Sequence, residues 1–276
     1  MAEFLNWAQG SAQAGARSDF LDDEVAAYVE YLWQEGEGAS KAHYTLAAIQ
    51  FFVPPARRNL NLAWGLVGSW DRLELPARAP PLLVEALRAI CGLCVSIGRE
   101  DAALVMLIGF HCMLRSGEMA ALTFGAFVLD VPAGRGAVNL GLTKSGKRVG
   151  KPETCTLSDA GLVRALERAS AGRLPGDRVL RGSPQQLRSL FTDSCKALQL
   201  SECGFKLYSI RRGAATEDFR RHGSLSRTVV RGRWENAKTA RLYINEGVAM
   251  LCDIQLSAAQ RQFMAEAAVS LRQFAR

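Results

Sequence analysis

Histidine is scarce in this sequence: His43, His111 and His222 are the three in 276 residues. The one CxxC, Cys91 and Cys94, lies in the apolar helical run LLVEALRAICGLCVSIG, where two thiols three apart read as core residues. No second Cys/His pair has ligand spacing to complete a zinc site, so no metal or cofactor is expected. No apolar run reaches the roughly 18 residues of a membrane span. The opening MAEFLNWAQGSAQAGARSDF lacks the basic start and apolar block of a secretory signal. Its Gly/Ala/Ser-rich part reads as a disordered arm. Seven cysteines, an odd number without an export signal, imply reduced thiols inside a cell. Internal repeats are absent. The segment GLTKSGK, Gly141 to Lys147, fits the GxxxxGK of a phosphate loop, but Arg148 stands where Ser or Thr should bind magnesium and no helix follows. Nucleotide binding is therefore not expected.

Acidic residues are thin in the second part of the chain. Residues 1–75 hold five Lys/Arg against ten Asp/Glu, a net of −5. The whole chain is +7, which leaves +12 on residues 76–276. Residues 201–245 alone hold ten Lys/Arg and four Asp/Glu. Such a patch suits a polyanion, and nucleic acid is the usual one.

Hydrophobic spacing predicts a largely helical chain. Val25, Tyr28, Val29 and Leu32 fall at i, i+3, i+4 and i+7. Ser40 is placed to cap a helix that stops at Pro54–Pro55, and a third helix is expected over Leu60–Trp70. The Pro-rich LELPARAPP, residues 73–81, marks a boundary. It divides a helical N-terminal domain (1–75, with a disordered start) from a second domain (82–276) through a linker at 76–81. The second domain begins with helices over Leu82–Ile97 and 100–114. Val138, Leu140 and Leu142 then alternate as a strand, and a Gly/Lys turn leads to a second strand ending near Leu157. Further helices are expected near 158–170, 184–199, 210–222 and 224–231, with a last amphipathic one over Ala258–Phe274. The fold class is mainly α, with a small antiparallel sheet.

Taken singly, the remaining signals are ordinary. Arg115 follows an apolar helix, with Glu118 one turn on. Lys144 stands in a basic turn with Lys147 and Lys151. Arg211 and Arg212 open a helix, and Trp234 in GRW precedes Tyr243 by nine residues. In this order, LRSGEMAAL, TKSG, YSIRRGAAT, GRW and TARLYI resemble the tyrosine recombinases, the phage integrase and Cre-like family, over roughly residues 82–255. The resemblance implies an α-rich catalytic domain that cuts and rejoins double-stranded DNA, with a helical N-terminal domain that clamps it. It implies Arg115, Lys144, Tyr208, Arg211, Trp234 and Tyr243 as catalytic residues. Tyr243 is the nucleophile that forms a 3′-phosphotyrosine, and Lys144 protonates the leaving 5′-oxygen. The two Arg grip phosphate oxygens as forked donors, which Lys cannot do. Glu118 orients a neighbour. Lys147, Lys151, Arg212 and Arg233 are expected DNA contacts. The partners implied are DNA and further copies of the chain on it, with no cofactor; the setting is inside a cell, beside a mobile element's DNA. Two features depart from the pattern. Tyr208 stands where the family has His, and the N-terminal domain is acidic. Both leave open a descendant that binds DNA or a partner without catalysis. The last helix could close on its own domain or dock on a neighbouring copy.

Overall fold

The computed structural model describes residues 1–10, 21–74, 78–143 and 152–274. The chain divides into two units, Met1–Arg78 and Ala79–Arg276.

Among the described residues, four helices build the first unit: α1 (Ala2–Gly10), α2 (Leu21–Gln34), α3 (Ala39–Phe52) and α4 (Asn61–Leu73). The spacing in α2 sends Val25, Tyr28, Val29 and Leu32 inward. They meet Leu46 and Ile49 of α3 and Val67 and Trp70 of α4 in one apolar core. Residues 2–10, ahead of the Gly/Ala/Ser-rich part read as a disordered arm, are helical. The cause is aromatic: Phe4 and Trp7 lie against Tyr28, with ring centroids 5.3 and 5.1 Å away. The Gly/Ala/Ser-rich residues 11–20 lie outside the described residues. Ser40 is not the cap of α3, which starts one residue earlier behind Gly38 without a side-chain cap. The start of α4 is closed from far away. Asp22 accepts from the Leu62 and Ala63 amides at 2.8 and 3.0 Å, a carboxylate at the positive end of the helix.

The second unit is centred on α5 (Val84–Ser96) and α6 (Glu100–His111), followed by the short α7 (Ser116–Ala121). A three-stranded antiparallel sheet comes next: β1 (Phe127–Asp130), β2 (Arg135–Gly141) and β3 (Glu153–Leu157), in the order β1–β2–β3. Register places Phe127 opposite Val138, and Val138 opposite Cys155. Sequence spacing missed β1, whose four residues are too few to declare a period of two. Helices α8 (Ala160–Ser170), α9 (Pro184–Ala197), α10 (Ser209–His222), α11 (Leu225–Arg231), α12 (Ala237–Arg241), α13 (Glu246–Ile254) and α14 (Ala258–Phe274) complete the unit. α9 starts with a reciprocal cap between Ser183 and Gln186. α14 packs on α5 of the same chain. The approach is so close that a Cβ on Gly92 would stand 2.0 Å from the Ala267 carbonyl oxygen. Met264 and Leu271 of α14 enter the same core as Leu87, Ile90 and Ile108.

α10 shows no amphipathic pattern, yet Ser209 to Thr216 are buried all round. Gly213 lets it press on the chain before α5, since a Cβ there would meet the Leu82 carbonyl oxygen at 2.1 Å. A helix carrying two arginines in the interior must satisfy them there, and this requirement shapes the site.

Candidate active site

Arg211 is 1% exposed. Its two terminal nitrogens donate to main-chain carbonyls, Nη1 to Met113 and Nη2 to Gly232 at 2.8 Å. Met113 presents its carbonyl because it adopts the left-handed conformation, φ 49°, as the chain leaves α6. Gly232 presents its own beside Trp234; a Cβ there would lie 1.8 Å from the indole, so a side chain would expel the ring. The Arg211 guanidinium carbon stands 4.8 Å from the Trp234 ring centroid and 5.3 Å from that of Tyr243. The two rings are 4.8 Å apart, and the Tyr208 ring is 5.7 Å from Tyr243. Arg211, Trp234, Tyr243 and Tyr208 thus form one cluster from three parts of the chain.

No carboxylate pairs with Arg211 among the described residues. Burial, then the charges of Arg115 and Arg233, depress its pKa to about 10. It is still a cation at neutral pH. Its Nε and the indole Nε1 of Trp234 are buried without a hydrogen-bond partner among the described residues. Burial and contact with the Tyr243 hydroxyl raise the Tyr208 phenol above its ordinary range, so it keeps its proton at neutral pH.

Arg115 precedes α7. Its amide donates to Glu118 Oε2 at 2.9 Å and its Nη1 to Oε1 at 2.7 Å. Glu118 therefore both closes the helix start and aims Arg115. The same carboxylate takes Arg233 Nη2 at 2.7 Å, and Arg233 Nε reaches Glu153 of β3 at 2.8 Å. Arg233 also donates to the Cys112 carbonyl at 3.2 Å and to the Cys155 sulfur. Burial penalises its charge, but Cys155, Glu118 and Glu153 outweigh that and raise its pKa. The Arg233 side chain, expected as a DNA contact, is 8% exposed and ties β3 to α7 from inside. Arg212, expected in the same role, is also turned inward. It is buried in α10 and donates to the Leu242 carbonyl at 2.7 Å, holding the chain just before Tyr243. Both arginines sit in basic, polar sequence, which disguised their burial.

Lys144, Lys147 and Lys151 lie outside the described residues. Thr143, just before them, lines a cleft of about 780 Å³ together with Arg115, Glu118 and Asn139. Glu153 was missed by sequence reasoning, since nothing local marks a strand carboxylate as the partner of an arginine 80 residues on. The lone CxxC behaves as a core pair: Cys91 and Cys94 are both fully buried, and burial raises both thiols.

A helical domain with a small antiparallel sheet and this Arg–Trp–Tyr cluster has the fold of the tyrosine recombinase catalytic domain. Among solved structures, the chain is similar to the XerH site-specific recombinase bound to difH substrate in a pre-cleavage complex (TM-score 0.56, 14% identity, 92% of this chain and 74% of that one). It is also similar to a lambda integrase dimer bound to a COC' core site (TM-score 0.60, 13% identity, 89% of this chain and 77% of that one). No protein-family model and no curated protein matches the chain in sequence. At these identities the likeness concerns the fold.

Proposed function

We infer that the chain is a DNA breaking-and-rejoining enzyme of the tyrosine recombinase type. The observation that carries this reading is Arg211, a buried guanidinium that forms no ion pair among the described residues and keeps a donor left over. Burying a cation without an ion-pair partner is costly, and the two carbonyls, the two rings and the more distant Glu118 charge offset that cost only in part. A site that maintains such a cation is suited to an anion that arrives later. A DNA phosphate is such an anion, and the +12 on residues 76–276 is of the sign that attracts it.

In this reading the Tyr243 hydroxyl gives up its proton to water and its oxygen attacks phosphorus, forming a P–O bond to tyrosine. The bond to the 5′-oxygen breaks, and that oxygen leaves as a hydroxyl with a proton from Lys144. Arg115 and Arg211 hold the non-bridging oxygens, whose charge rises in the transition state. The indole N–H of Trp234 supplies one more donor. Tyr208 keeps its proton, so it acts by donating a hydrogen bond toward the attacking oxygen and not as a base. Rejoining runs the same steps backward. The enzyme works inside a cell on the DNA of a mobile element, as several copies on one DNA. α14 then leaves α5 of its own chain for that of a neighbour.

A second reading has one observation in its favour. Tyr208 replaces the His that would accept the Tyr243 proton, which suits a chain that binds DNA without cutting it. One experiment separates the two. Duplexes selected from a random pool by binding are nicked near their centre, so that a cleaved fragment diffuses away. An enzyme leaves a denaturant-resistant protein–DNA adduct with the wild type and none with Tyr243→Phe. A binding protein retains the duplexes and leaves no adduct with either.

A further inference from the structure

The first unit is acidic, but its charge is divided along the chain. All ten acidic residues of 1–75 lie before residue 38 or after residue 70. Residues 38–70 hold no Asp or Glu, and they hold Lys41, Arg57 and Arg58. They build α3, a 3-10 turn at Pro54–Ala56 and most of α4. Lys41 is already engaged by Glu3 and Glu37, at 3.1 and 2.7 Å. Arg57 and Arg58 have no carboxylate partner among the described residues. Arg57 folds back along α3, donating from Nε to the Gln50 carbonyl at 3.0 Å.

Three aromatic rings stand in water on the same helix. Tyr44, Phe51 and Phe52 are 76%, 69% and 66% exposed. Seven and eight residues, about two turns, separate Tyr44 from the two Phe, so the three share one ridge. Phe51 and Phe52 meet edge to face with centroids 5.0 Å apart. The inward face of α3 is already filled by Ala42, Thr45, Leu46 and Ile49. The rings are therefore surplus to the core, and their exposure forfeits the burial that large aromatics gain elsewhere.

We propose that this ridge binds nucleic acid by stacking on unpaired bases, with Arg57 and Arg58 on the neighbouring phosphates. The proposal rests on the DNA reading above and extends it to the first unit. An apolar protein partner would cover the rings but leave two arginines without counter-charge. A nucleic acid supplies π faces and anions together. The two Phe rings carry no donor or acceptor for base edges in a groove, whereas an unpaired base offers its whole face. The acidic unit then meets a polyanion through the end of α3 next to Arg57 and Arg58, while Glu3, Glu37 and Asp71 engage Lys41 and His43 near the other end.

The test uses the full chain and two fluorescent DNAs: a duplex, and the same duplex with a three-base bulge. The bulged DNA should bind about tenfold tighter or more, given what stacking contributes per base. Phe51→Ser/Phe52→Ser should lose that preference, keep its duplex affinity and melt at the wild-type temperature. Tyr44→Ala, at the far end of the ridge, should lose part of the preference and serves if the double variant misfolds. Equal affinity of the wild type for both DNAs overturns the proposal while leaving the DNA reading intact. So does a double variant that keeps the bulge preference but loses self-association, which would assign the ridge to a second copy. Failure to bind either DNA removes the DNA reading itself, and the proposal with it.

Discussion

Arg233 donates to Glu118 at 2.7 Å across 115 residues of sequence, and Glu118 holds Arg115 with its other oxygen at the same distance. One carboxylate thus connects a buried structural arginine to an arginine of the candidate site. Glu118→Gln keeps the shape but cannot satisfy both cations. It should lower stability by about 1.5–3 kcal/mol, the worth of hydrogen bonds to charged groups. In urea unfolding the midpoint falls; strand cleavage falls with it, because Arg115 is no longer aimed. An unchanged midpoint would mean that the link does not bear on folding.

Trp234 allows function to be separated from stability. Its indole N–H is buried and unpartnered among the described residues. Trp234→Phe keeps an aromatic ring beside Arg211 and Tyr243 while removing a donor that costs the free protein energy. Thermal stability should hold within about 1 kcal/mol, small for a ring swap of this kind. The cleavage rate should drop about 100-fold, in the range found for losing one transition-state donor. An equal loss of both would make Trp234 a packing residue only.

The contact of Gly92 with α14 yields a mechanical prediction. Gly92→Ala adds a methyl where the Ala267 carbonyl oxygen stands. The helix must shift away, and limited proteolysis should release residues 257–276 much earlier than in the wild type. Duplex binding by single copies should be retained. Wild-type resistance to proteolysis would show that α14 is held by other contacts.

Much of this site was legible because the chemistry restricts residue type. Arg115, Arg211, Trp234 and Tyr243 stand in an order and spacing that ordinary surface residues rarely reproduce, and three of them meet within about 5 Å. The helices were legible where one face is apolar, as in α2. What failed was whatever depends on a distant partner. Asp22 caps α4 from 40 residues away. Arg212 and Arg233 read from sequence as DNA contacts, whereas their burial depends on carbonyls and carboxylates brought by other elements. α1 was missed because its anchor, Tyr28, belongs to the next helix.

His111 sets a pH dependence. Its Nε2 accepts from the Ser158 amide at 3.1 Å. Burial, and then the Arg231 charge, lower its pKa in the folded state. The unfolded chain then takes up a proton first, at about pH 6.5, the ordinary histidine value. Its contribution to stability is complete above that pH and is lost as pH falls toward the depressed folded value. His111→Gln keeps an acceptor for Ser158 and cannot titrate. Thermal melts from pH 7.5 to 5 should therefore decline less steeply in the variant. Parallel curves would remove His111 from the account.

The central claim is that Tyr243 is the residue that becomes joined to DNA. The most direct measurement is peptide mass mapping of the adduct formed with the selected nicked duplexes, after nuclease trimming. The account predicts a nucleotide mass on the peptide that contains Tyr243, absent in Tyr243→Phe and strongly reduced in Arg211→Lys. A nucleotide on any other residue, or bound DNA with Tyr243 unmodified throughout, would contradict it.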